Sequence, residues 1–341
     1  MSKNIIKRVH ARRVWDSRGR PTIEVDVTLR YGAMGRAIAP AGASTGAAEA
    51  VELRDGGASQ GGYDVLGALG AVNDEINTAL KGMDVRDQAA IDRMLIELDG
   101  TENKSRLGAN ALIATSMAVA HAAAAAEKLP LWQYLGPFGG GSAGEQLPLP
   151  EIQILGGGAH AAGRVDVQDF MVIAVGADSF AQALDWTADV YRAAGSLLAD
   201  SGRLQGVADE GGFWPAFHSN EEGLEILCRA IEAAGRTPGQ DIAISLDIAT
   251  SEFGADGRYR MVLDDRELDS DGLSGLLVDW VERYPIVSIE DPLGEDDPEG
   301  LARFTWAVGK RVQVVGDDFL VTNADKVLDA AKRKACNAVL I

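Results

Sequence analysis

Three short apolar runs in the second half of this chain each end in carboxylates, and that recurrence constrains the fold more than any other feature. They read Ile242-Ala243-Ile244-Ser245-Leu246-Asp247, Ile286-Val287-Ser288-Ile289-Glu290-Asp291 and Val312-Gln313-Val314-Val315-Gly316-Asp317-Asp318. Each is rich in β-branched residues and too short for a helix, as expected of strands buried on both faces. Helical periodicity fills the intervals, over residues 273–283 and 298–310. Such alternation implies parallel βα units with right-handed crossovers. The carboxyl ends of successive strands then lie side by side, so Asp247, Glu290 and Asp317 are predicted to face one small space. Three carboxylates cannot all stay ionised in a water-poor site, because each disfavours the charge of the others. A divalent cation with hard oxygen ligands removes that conflict, and Mg²⁺ fits best. One such acid would be read as an ordinary loop residue of an acidic protein. Three at the same place in consecutive units favour the metal.

The rest of the chain organises around that block. Residues 5–14, 22–30 and 34–38 read as a strand meander; in the second, Ile23, Val25, Val27 and Leu29 alternate with polar residues. Helical patterns follow at 65–80, 88–98 and 110–126, which makes residues 1–137 an N-terminal α+β capping domain. A glycine-rich stretch makes 138–146 the linker. Residues 147–341 form the second domain. It opens with two apolar runs, 147–155 and 169–175, read as antiparallel neighbours across a glycine-rich turn. A helix at 179–199, a loop at 204–217 and a helix at 221–234 lead to the carboxylate-tipped strands, and 337–341 is a further strand. That gives six strands of a fold whose closed form has about eight.

Composition excludes several partners. The 341 residues carry a net charge of −19, and a phosphate backbone needs basic surface, so no nucleic acid is expected. No apolar run reaches the ~18 residues of a membrane span, and the N-terminus runs straight into a strand pattern without a leader. Cys228 and Cys336 are the two cysteines, as suits a reducing cytoplasm.

Several motifs occur together in order. They are Asp16-Ser17-Arg18-Gly19, Gly42-Ala43-Ser44-Thr45-Gly46, Asn103-Lys104-Ser105-Arg106-Leu107-Gly108-Ala109-Asn110-Ala111, Asp209-Glu210-Gly211-Gly212, Ser288-Ile289-Glu290-Asp291-Pro292 and Gly316-Asp317-Asp318. The whole chain resembles the enolase family through them. The resemblance implies an α/β fold: an N-terminal α+β cap followed by an enolase-type (β/α)₈ barrel whose first two strands are antiparallel. It implies a hydro-lyase interconverting 2-phosphoglycerate and phosphoenolpyruvate. A small phosphorylated carboxylic acid is then the substrate, Mg²⁺ the cofactor, and a cytoplasmic homodimer the full-length form. Asp247, Glu290 and Asp317 would hold the first Mg²⁺, and Ser44 a second. Glu210 would be the general acid that protonates the departing hydroxide. His160, Gln168 and Asp169 would contact substrate. The resemblance further implies that the lysine base follows directly on Ile341. An arginine and a second lysine would lie on two later strands, so the chain is expected to be a C-terminally truncated, inactive piece of a protein roughly 90 residues longer.

Departures from the family cluster near the expected pocket. Gln168-Asp169-Phe170-Met171 stands where the family has Gln-Glu-Phe-Met, which draws one carboxylate back by about 1.5 Å. Gln153-Ile154-Leu155-Gly156-Gly157-Gly158 replaces Asn-Ile-Ile-Asn-Gly-Gly, Ala41 replaces a serine, and Trp214 and Ala216 follow the Asp-Glu-Gly-Gly turn. Taken alone, the shortened Asp169 predicts a gain in turnover for Asp169→Glu. Two alternatives stay open: an enolase-like enzyme acting on a related phospho- or phosphono-carboxylate, like carboxyphosphonoenolpyruvate synthase, or a non-catalytic enolase-fold scaffold. The preserved acids argue against the scaffold.

Overall fold

The computed structural model describes residues 4–39, 41–42, 45–139 and 147–341, and the chain divides into two compact units. One comprises Met1–Gly42 with Glu49–Leu147, the other Ala43–Ala48 with Pro148–Ile341. Most of the linker expected at 138–146 lies outside the described residues.

The first unit is built on the predicted meander. Strands β1 (Ile6–Trp15), β2 (Pro21–Leu29) and β3 (Met34–Ile38) pair antiparallel in that order. The alternation in β2 buries Ile23, Val25, Val27 and Leu29 on one face. On the other face Glu24 and Asp26 pair with Arg12, at 2.6 Å each, and Asp26 also with Arg36 at 2.7 Å. The helix Ala109–Glu127 lies against β2 and β3, and Gly35 permits the approach. A Cβ there would stand 2.1 Å from the Ala118 carbonyl oxygen. By length and composition this helix could cross a membrane, but 61% of its apolar window is buried inside the unit. It is a core helix.

The helix expected at 65–80 forms as Leu66–Ala71 and Asn77–Leu80 joined by a wider π turn, Val72–Ile76. That turn sets Asn73 and Asn77 along the outer edge of β1. Asn77 Oδ1 accepts the Val9 N–H at 2.8 Å and Asn73 Oδ1 accepts the Ala11 N–H at 2.9 Å. The strand edge is thereby satisfied by side chains instead of by another strand.

The second unit carries β4 (Glu151–Gly156), β5 (Asp169–Ile173), β6 (Leu204–Val207), β7 (Phe213–Pro215), β8 (Ala243–Asp247), β9 (Gly254–Ala255), β10 (Arg258–Met261), β11 (Arg266–Asp269), β12 (Ile286–Glu290), β13 (Gln313–Gly316) and β14 (Ala338–Val339). The main sheet runs β14-β13-β12-β8-β5-β4-β7-β6. β8, β12, β13 and β14 are parallel, while β5 runs antiparallel to both of its neighbours, β4 and β8. The six strands read from the sequence are therefore present. Two features of the sheets were not anticipated. The loop expected at 204–217 contains the β6–β7 hairpin, and β9, β10 and β11 form a small separate sheet. Strands of two to four residues are too short for alternation to register.

Side-chain caps start the helices that follow these strands. Ser179 accepts from the Gln182 amide, Asp269 from Gly272 and Asp297 from Gly300, the last just before Pro298. Each cap satisfies an amide the helix cannot. Asn323 caps a further helix, Ala324–Arg333, whose charge-rich sequence hides its narrow apolar face.

The core of this unit centres on β5, β8, β12 and β13, where Phe170, Leu246, Ile289 and Val314 are all buried completely. Helix Glu221–Ala233 seats Gly223 directly over the Phe170 ring, and a Cβ there would fall 2.3 Å from a ring carbon. Gly223→Ala gains about 1 kcal/mol of helix propensity but overpacks the core at a cost of about 1–3 kcal/mol. The variant is expected to show a lower urea midpoint with an unchanged m-value. A raised midpoint would mean that the ring has room to move.

Candidate active site

The register of the main sheet decides which acids meet. Glu290 lies opposite Asp247 across β12–β8, and opposite Val315 across β12–β13, two residues before Asp317. Because β5 runs the other way, its first residue, Asp169, lies opposite Asp247. Gly156, the last residue of β4, lies opposite Asp169. Acids from β5, β8, β12 and the end of β13 therefore collect at one rim.

Asp169 and Asp247 are buried, Glu290 and Asp317 half-buried, and like charge close by makes Asp169, Asp247 and Glu290 harder to ionise. Burial holds Asp247 well above the usual carboxylate range, with Glu290, Asp169 and Asp291 adding to the effect. Its Oδ1 accepts the Ala249 N–H and its Oδ2 the Gln168 amide, both at 2.9 Å. Glu290 is pushed up to about 9, first by burial and then by Asp291, Asp317, Glu151 and Asp169. Burial also raises Asp317. The next acid along, Asp291, is raised by burial to about 7, against the pull of two backbone amides, Asp317 N–H at 3.0 Å and Asp318 N–H at 2.8 Å. Asp291 thus holds the turn that carries Asp317. The donor set fits a hard divalent cation: oxygen ligands, charge in excess, and little water to share it.

A second group stands around His160, on the short turn Gly158–Ala161. Its Nδ1 is 2.5 Å from Asp209 Oδ1. Its Nε2 faces Asp169 Oδ2 and Glu210 Oε2, each at 3.6 Å. Among the described residues, His160, Asp169 and Glu210 are the set whose ligand atoms lie within 4.8 Å of one another. Asp247, Glu290 and Asp317 are not drawn to that radius. Burial raises Asp169 to about 6; Gln153 and His160 pull it down, while Glu210 and Asp209 push it up.

The unanticipated hairpin explains how Glu210 gets there. β7 pairs with β4 through Phe213 and Leu155, so the β6–β7 turn is fixed beside β4. Within the turn, Ala208 N–H donates to the Gly212 carbonyl at 2.7 Å. From helix Phe180–Asp200, Tyr191 stacks on Phe213 with ring centroids 4.3 Å apart, and its hydroxyl donates to the Gly211 carbonyl at 2.8 Å.

His160, Gln168, Asp169, Glu210, Asp247, Glu290 and Asp317 all belong to the second unit. Ser44 lies outside the described residues. Sequence reasoning passed over Asp209, Asp291 and Glu151, the last of which accepts from the Ser245 hydroxyl. A usable signal was present: Asp209-Glu210, Glu290-Asp291 and Asp317-Asp318 are acid doublets, in which one member can face the rim while its neighbour braces the backbone.

Two family descriptions match the chain in sequence: "Enolase, N-terminal domain" over residues 6–135 and "Enolase, C-terminal TIM barrel domain" over residues 144–341. The chain belongs to the enolase family. It is 50% identical over 339 residues to the protein named Enolase 1 of Desulfitobacterium hafniense (strain Y51), an alignment covering 98% of this chain and 77% of that one. Enolases are hydro-lyases that interconvert 2-phosphoglycerate and phosphoenolpyruvate, use a divalent metal and act on a small phosphorylated carboxylic acid.

The raised carboxyls set a pH dependence. A group whose folded pKa is raised stabilises below its unfolded value, and that contribution is lost as pH rises through the folded one. With Glu290 going from 4.5 to about 9 and Asp291 from 3.8 to about 7, the window spans about pH 4 to pH 9. In chelator, the urea midpoint is expected to fall across that range, and Glu290→Gln to flatten its alkaline half. Midpoints that rise with pH, or an unchanged slope in the variant, would contradict this electrostatic picture.

Proposed function

We propose that Asp247, Glu290 and Asp317 hold Mg²⁺ for the 2-phosphoglycerate reaction, that Glu210 is its general acid, and that His160, Gln168 and Asp169 position the substrate. Ser44 is proposed as a ligand of a second Mg²⁺ by sequence motif alone. The observation that carries the reading is the meeting of strand-end acids on β8, β12 and β13 with the separate His160–Asp169–Glu210 group, through the reversed strand β5. When bound, the metal supplies Lewis-acid stabilisation of the charge that develops on the substrate carboxylate.

The chain's own groups account for binding and for one proton. Gln168 donates to Asp247 and so fixes both the carboxylate and its own side chain at the rim. Glu210, half-exposed at the turn, is the member of its group with access to substrate. Once a base has taken the C2 proton, Glu210 gives its proton to the hydroxyl on C3; the C2–C3 double bond forms as the C3–O bond breaks, the group departs as water and Glu210 is left as the carboxylate. His160 is held by Asp209 and presents Nε2 to both acids, so it can stabilise the negative charge left behind. Asp169, raised to about 6, takes up a proton only below neutral pH.

The expected setting is a homodimer in a reducing cytoplasm, the assembly following from the family and the compartment supported by the two free thiols, Cys228 and Cys336. In the full-length protein, turnover is expected on 2-phosphoglycerate with Mg²⁺, followed by absorbance of the enol product. Glu210→Gln should lower kcat by about 10²–10⁴-fold, the usual contribution of a positioned acid. Near-normal kcat in that variant would remove Glu210 from the acid's role.

A further inference from the structure

Gln153 is the residue near the rim that the reading above leaves without a task. It sits in β4, between the strand carrying Asp169 and the hairpin carrying Glu210. Its side chain uses both ends of the amide. Nε2 donates to Asp169 Oδ1 and lies 3.4 Å from Glu210 Oε2, while Oε1 accepts the Gly212 N–H at 2.8 Å. Nε2 has two hydrogens for two carboxyl groups, and Oε1 ties the amide to the turn that bears Glu210.

We propose that Gln153 is a positioning residue that sets the separation of the Asp169 and Glu210 carboxyls and holds the Glu210 turn in register with β5; the proposal rests on the acid role given to Glu210. Three features support it. The amide is neutral, so it can hold two acids together without forcing both to ionise, as an arginine or lysine would. It links β4, β5 and the β6–β7 turn through one side chain. Its reach also matches the short Asp169. Gln153 Nε2 already meets Asp169 Oδ1, so adding a methylene at residue 169 drives that carboxylate into the amide. Shortening residue 153 by one methylene opens the room for it. Asp169→Glu alone is therefore expected to slow turnover, the reverse of what the sequence predicts when Asp169 is considered by itself.

The test is a cycle of Gln153→Asn, Asp169→Glu and the double variant, with Gln153→Met as a variant of similar length lacking the amide. kcat and KM for 2-phosphoglycerate are measured in the full-length protein with saturating Mg²⁺. Protection of the Gly212 amide is read by hydrogen–deuterium exchange, and a urea midpoint checks that each variant folds. Gln153→Met is expected to lower kcat about 10–100-fold with KM changed less than about threefold, since displacements near 1 Å cost about that much. The two single variants should each be slow and the double variant should recover most of the loss. Gly212 should exchange faster in Gln153→Met than in the parent protein. An unchanged kcat in Gln153→Met, a gain from Asp169→Glu alone, or a double variant as slow as the product of the singles would overturn the proposal. If Gln153→Met does not fold, the Asn–Glu cycle decides it. If the full-length parent protein fails to turn over 2-phosphoglycerate, the functional reading falls instead. Gly212 exchange still tests the strut, and unchanged protection in Gln153→Met would refute it.

Discussion

Burial of like charge at one rim of the β8–β12–β13 sheet is the constraint on which the rest of the second unit depends. Carboxyls in an apolar surround cost free energy when ionised, and several together cost more. Asp247 and Asp291 are tolerated because the backbone around them is arranged to serve them. Asp291 takes the amides of Asp317 and Asp318, and Asp247 takes that of Ala249. These bonds hold the acids in place but do not neutralise them. The remaining imbalance is a field that would favour a hard cation and that holds protons near neutral pH.

The scaffold carries that imbalance by being dry and closely packed beneath it. Phe170, Leu246, Ile289 and Val314 are buried under the rim, and Gly223 lets a helix close over the Phe170 ring. Such packing resists the small displacements by which the acids could separate. The first unit solves a different problem with the same economy: Asn73 and Asn77 take up the outer edge of β1, which pairs with no strand on that side among the described residues.

Function and fold meet at the β6–β7 hairpin. Glu210 and Asp209 sit in a turn braced from two sides, by Tyr191 and Phe213 on the helix side and by Gln153 on the β4 side. A loop with those residues but without the bracing would carry the same chemistry at uncertain distance. His160 depends on the turn too, since its Nδ1 is anchored on Asp209.

Much was determined by sequence alone. The three carboxylate-tipped strands, the meander with its alternating Ile23, Val25, Val27 and Leu29, and the long helices are all legible, because burial on one or both faces imposes a period on local sequence. The family motifs named His160, Gln168, Asp169 and Glu210 without any geometry. The tertiary structure alone decided how those residues meet. The β6–β7 hairpin is too short for periodicity to reveal, yet it delivers Glu210. Gln153 read as a departure until its amide was seen between Asp169 and the Gly212 turn, a contact 59 residues apart in sequence on the Gly212 side. Asp291 read as a neighbour of Glu290 until its carboxyl was found on the backbone of the next strand's turn. Such pairings are set by strand register, and no local pattern encodes the distance between two side chains on different strands.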